Sequence, residues 1–116
     1  MSRCVVGVMA PDKLQERERA IADGKYQPRR GEPTVWFPST SSLAAVLSDD
    51  NRALLRTIRE SKPGSLAALA ELTGRKPSNL SRTLKTMASY GLVEIQRSKG
   101  LLVPVVKTTE FLIILD

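Results

Sequence analysis

Residues 64–100, GSLAALAELTGRKPSNLSRTLKTMASYGLVEIQRSKG, decide how this chain folds. Ser65 is a capping residue type set before Leu66, Leu69, Ala70 and Leu72. That spacing predicts a short helix turned inward on those four side chains and stopped by Gly74. A second helix is predicted from about Pro77 to Tyr90. Leu80, Leu84 and Met87 fall at i, i+4 and i+7, and Gly91 closes it. Its first residue is ambiguous in the sequence, because Lys76 is a poor cap and Ser78 a good one. LVEIQRS, 92–98, alternates as a strand does, and Lys99-Gly100 supplies the turn into LLVPVV. The order is helix, tight turn, basic helix, then a hairpin with a basic tip.

Upstream, Ser48-Asp-Asp-Asn opens another helix with acidic residues in its first turn, and Leu54, Leu55 and Ile58 mark its apolar face. The serines at 39–42 cap a helix carrying Leu43, Val46 and Leu47. TVWFP, 34–38, predicts a brief strand, and KYQPRRGEP, 25–33, a connector. Pro11 and Asp12 start a charged helix that ends at Gly24. RCVVGVM, 3–9, predicts a strand. The final FLIILD is continuously apolar, as a strand covered on both faces would be. Left as a free edge it would aggregate, so it is expected to pair with the N-terminal strand, within one chain or between two. The domain expectation is an arm and connector over 1–33, for dimer or partner contact, and a main domain over 34–116.

Charge is unevenly placed. The chain of 116 residues carries a formal +6. Residues 1–50 hold seven basic and seven acidic groups, whereas 74–107 hold seven basic groups against Glu94 alone. The whole excess sits on the basic helix and hairpin, which points to an anionic partner. A single cysteine, Cys4, excludes an intrachain disulfide and suggests a reducing compartment. It lies in an apolar run and reads as a small buried hydrophobe. The absence of histidine removes the commonest general base and most zinc sites. No signal-peptide pattern or membrane span is present, so a cytoplasmic protein is expected.

The second helix divides by face. Ser78, Asn79, Ser81, Arg82 and Lys85 fall away from its apolar stripe. Arginine pairs bidentately with guanine and asparagine with adenine, while serine bonds to either, so these residue types can read base edges. They cluster in the half that enters the major groove in helix-turn-helix proteins. Arg75 and Lys76 in the turn are placed for phosphates, and Arg97, Ser98 and Lys99 for a phosphate or a minor groove. Asp12, Glu16, Glu18 and Asp23 alternate with Lys13, Arg17 and Arg19 and are read as surface ion pairs. Trp36 and Phe37 are expected to plug the core or a dimer seam. No phosphate-binding Gly loop, Ser/His/Asp set or CxxC pair occurs, so neither catalysis nor a metal or other cofactor is expected.

SLAALAELTGRKPSNLSRTLKTMASYGLVEI resembles the winged helix of MarR- and ArsR-type bacterial regulators. With the lead-in FPSTSSLAAVLSDDNRALLRTIRESKPGS it is similar to a small prokaryotic group of predicted transcriptional regulators, through Phe37, Leu43, Arg52, Leu54, Leu55 and Ile58. The resemblance covers residues 36–106 and implies a dimeric DNA-binding regulator; some relatives look like antitoxins of toxin–antitoxin pairs. ArsR-type metal sensing does not carry over to a chain with no histidine and one cysteine. The expectation is therefore an α+β winged helix-turn-helix with an N-terminal strand–helix extension and a C-terminal strand. As a homodimer it would bind a pseudo-palindromic operator in double-stranded DNA and act as a repressor, with Arg75, Lys76, Ser78, Asn79, Ser81, Arg82, Lys85, Arg97 and Lys99 as the contacts. The alternatives are an antitoxin that also covers a toxin protein, and a protein–protein adaptor.

Overall fold

A computed structural model describes residues 3–115. The fold is α+β, and the chain divides into two compact units, Met1–Ala45 with Glu110–Asp116, and Val46–Thr109. This division falls twelve residues later than the expected one at 33/34 and returns the C-terminal strand to the first unit. The cause is strand pairing. β1 (Cys4–Val8) lies at the centre of a three-stranded sheet, with β2 (Val35–Phe37) on one side and β5 (Phe111–Ile114) on the other, both parallel to it. Parallel neighbours need a crossover, and α1 (Pro11–Ala22) supplies the one between β1 and β2. Pro11 occupies the first turn of α1, where its missing N–H is not needed.

The apolar C-terminal run does pair with β1, within the chain, but it is not covered on both faces. Leu112, Ile113, Ile114 and Leu115 remain 37–56% exposed, because β5 is an edge strand. Among the described residues of this unit, Val6 and Phe37 are the fully buried apolar side chains. Gly7 lets the sheet approach its neighbours closely. A Cβ there would come within 2.8 Å of both the Pro33 ring and the Trp36 ring.

The second unit begins at the end of α2 (Thr40–Val46), which Ser39 caps through its hydroxyl to the Ser42 amide. α3 (Asp49–Ser61) and α4 (Leu66–Thr73) start as the sequence predicts. Ser48 accepts from the Asn51 amide at 3.2 Å and Ser65 from the Ala68 amide at 3.1 Å. α5 (Pro77–Ser89) packs on α4 and on β3 (Val93–Ser98), which pairs antiparallel with β4 (Leu101–Val106). Pro104 is tolerated in β4 because both strands of a two-stranded sheet are edges. Leu54, Leu55, Ile58, Leu69, Leu80, Leu84, Met87 and Leu92 form the core. Leu72, expected inward, is 58% exposed. The inward stripe of α4 runs through Leu66, Leu69, Ala70 and Thr73, and Leu72 falls outside it.

Candidate nucleic-acid interface

α5 carries most of the expected contacts. Its N-cap is Lys76 rather than Ser78, and no side chain caps it; Pro77 at the first helical position starts the helix instead. Ser78 is thereby left on the exposed first turn, beside amides that no capping side chain occupies. Leu80, Leu84 and Met87 are 0–1% exposed and fix the rotation of the helix. Ser78, Arg82 and Lys85 consequently project on the opposite side, with Asn79 beside them, and all four are exposed. Ser81 lies nearer the buried stripe and is only half exposed. Thr86 and Ser89 share the outward face. Their hydroxyls donate to the α5 carbonyls of Arg82 and Thr86, at 3.2 and 2.6 Å.

Arg75 is less available than the sequence suggests. Its Nη2 donates to the Asp50 carbonyl at 3.0 Å and its Nη1 to Asn51 Oδ1 at 3.4 Å. These bonds fasten the α4–α5 turn to the start of α3 and leave Arg75 half buried. Lys76 next to it is exposed. Asp50, Asn51, Thr57, Arg75, Asn79 and Thr83 line a polar cleft of about 600 Å³ beside the first half of α5. Asn51 and Thr57 were not singled out in the sequence. No local signal marks them, since the bond from Arg75 to Asn51 spans twenty-four residues.

The hairpin presents the second group. Arg97 pairs across with Leu102, and Ser98 with Leu101. Lys99 and Gly100 both have positive φ, 52° and 79°, the geometry of the tight turn that matches strand twist. Arg97, Ser98 and Lys99 are exposed at the tip, and so are Leu101 and Leu102. Lys107, counted in the sequence excess, lies at the base of the hairpin, 3.6 Å from Glu94. The whole unit carries eleven basic against five acidic side chains, whereas the unit built on β1 carries seven of each.

The charged helix of the first unit behaves as a surface, with one exception. Lys13 and Glu16 form an exposed pair at 3.8 Å. Arg17 instead reaches Glu32 at 2.9 Å and lies over the Tyr26 and Trp36 rings, 5.6 and 5.2 Å from their centroids. It ties the 25–33 connector to α1. The Tyr26 hydroxyl donates to the other Glu32 oxygen, which holds the Glu32 carboxyl below its ordinary range and pushes the Tyr26 phenol up. Trp36 is half buried beneath Arg17, and Phe37 is in the core. Burial raises the Cys4 thiol, opposed by its hydrogen bond with Thr34. Among the described residues no three His, Cys, Asp or Glu side chains gather as a metal site would need, and no helix is long and apolar enough to cross a membrane.

Residues 46–113 match the model of the HVO_A0114 family, a span that takes in α3, α4, α5, the hairpin and the first residues of β5. The chain belongs to the HVO_A0114 family. No curated protein and no solved structure matches it. In this HVO_A0114 chain the matched segment contains every candidate contact residue, from Arg75 to Lys99.

Proposed function

We propose that residues 46–109 bind double-stranded DNA as a winged helix-turn-helix, and that the protein is a sequence-specific regulator acting as a repressor by occupying a promoter. The observation that carries this reading is a coincidence. The unit with the entire charge excess also holds a helix whose buried stripe turns Asn79, Arg82 and Lys85 to solvent together. In the proposed complex α5 enters the major groove, where Asn79 and Arg82 read base edges, with Ser81 at the margin. Lys76, Ser78 and Lys85 hold phosphates, and Arg97 and Lys99 follow the backbone or the neighbouring minor groove. Arg75 serves mainly to set the turn, with its remaining N–H groups open to a phosphate. One such module reads few base pairs, so two copies on a pseudo-palindromic operator complete the site. No catalytic role enters this reading.

Selection of bound duplexes from random DNA tests it. A single enriched motif is expected. Arg82→Ala should cost about 1–3 kcal/mol and relax one position of that motif, whereas Lys99→Ala should weaken all sequences alike. Absence of any enriched motif at moderate salt would refute it.

A further inference from the structure

We infer that the hairpin tip carries an apolar wedge, Leu101, which enters a base step from the minor groove and bends the DNA; this rests on the DNA-binding reading above. The register of β3 and β4 fixes what each face of the tip presents. Ser98 lies opposite Leu101 and Arg97 opposite Leu102, and successive residues of a strand alternate between faces. One face runs inward from Arg97 and Leu102 through Ile95 and Pro104 to the buried Val93. Leu102 thus lies at the end of the core-facing side, with the aliphatic stem of Arg97 as its cross-strand neighbour. Leu101 is on the other face, opposite a serine too short to cover it, and is 52% exposed. It takes no part in the core.

Charge selects the occupant. Residues 95–109 carry Arg97, Lys99 and Lys107 and no acidic group, so the tip suits a polyanion. Leucine is among the apolar side chains that minor-groove proteins insert between base pairs, where they partly unstack the step and kink the duplex toward the major groove. The cations beside Leu101 would hold the phosphates that flank the opened step. An anionic bilayer would accept the same cations, but binding there scales with buried apolar area, and one or two leucines bury little. A base step needs a single wedge. Pyrimidine–purine steps, TA and CA/TG, open most readily, so Leu101 would select such a step by its deformability, without a hydrogen bond to either base.

A duplex of about 30 base pairs carrying the motif enriched from random DNA, with a dye at each end, reports the bend by energy transfer. The full chain should bend it by roughly 20–90°. Leu101→Ala should still bind but lose most of the bend, whereas Leu101→Phe, another wedge type, should keep it. Lys99→Ala should weaken binding and yet bend the duplex it holds. A fluorescent adenine analogue at the TA or CA/TG step should brighten with the parent protein and not with Leu101→Ala. Because Leu101 is on the surface, every variant should keep the parent circular dichroism spectrum. A bound duplex that stays straight, or a bend and a brightening indifferent to Leu101→Ala, would overturn the wedge and leave the DNA-binding reading standing. Failure to bind any duplex would overturn both. So would Leu101-dependent sedimentation with phosphatidylserine–phosphatidylcholine vesicles in place of duplex binding, which would assign the tip to a membrane surface.

Discussion

Residues 46–109 bury eleven apolar side chains, whereas the unit built on β1 buries Val6 and Phe37 and leaves a run of Leu and Ile in solvent. The first is charged and closed; the second is neutral and open along one strand. A closed core holds a helix in one rotation, which the proposed base-reading face would require. An open apolar edge suits association, because its main-chain groups and side chains gain their partners from another chain. The two units thus separate by physical character as well as by sequence.

Core truncation should sharpen that contrast most. Leu84 is 1% exposed, and Leu84→Ala should destabilise residues 46–109 by about 2–5 kcal/mol in denaturant titration. Residue-resolved amide exchange should place the loss in α3, α4 and α5 rather than in β1. Equal loss in both units would make them a single cooperative body. Gly7→Ala is the matching test on the other side. Its Cβ would sit 2.8 Å from two rings that have little freedom to withdraw, so a cost of about 1–3 kcal/mol is expected. The sole tryptophan, Trp36, reports that unit by fluorescence, and an unchanged melting curve would show that the rings give way freely.

The smallest effect concerns Glu32. Its carboxyl is held low chiefly by the Tyr26 hydroxyl, assisted by Arg17, so its stabilisation is present above the ordinary carboxylate range and is lost as pH falls through the lowered value. Glu32→Gln should therefore lower the Trp36-monitored melting temperature slightly at neutral pH, and the gap should close as the pH falls through that lowered value. A gap between the two proteins that widens in acid would contradict the sign.

The helices and hairpin of the second unit were legible because their signals are local. Ser48 and Ser65 as caps, Gly74 and Gly91 as stops, and Leu80, Leu84 and Met87 at helical spacing each act within a turn or two. Exposure of Ser78, Asn79, Arg82 and Lys85 follows from the same stripe. Leu72 is exposed against expectation because on so short a helix its angle about the axis, not its hydrophobicity, decides its face. The phosphate role expected of Arg75 is limited by its bonds to Asp50 and Asn51, partners too distant in sequence to leave a local signal. The end of the first unit could not be placed from composition, because parallel pairing of β2 and β5 with β1 joins segments about thirty and a hundred residues apart.

Anisotropy of a labelled operator-length duplex, titrated with the purified protein across salt concentrations, tests the central claim most directly. Binding should weaken with a log–log slope of about −0.9 for each phosphate neutralised. Lys85→Ala and Lys99→Ala should each reduce that slope by about one contact while the fold stays intact. Failure to bind at low salt, or a slope unmoved by both substitutions, would contradict a DNA-binding face built on α5 and the hairpin tip.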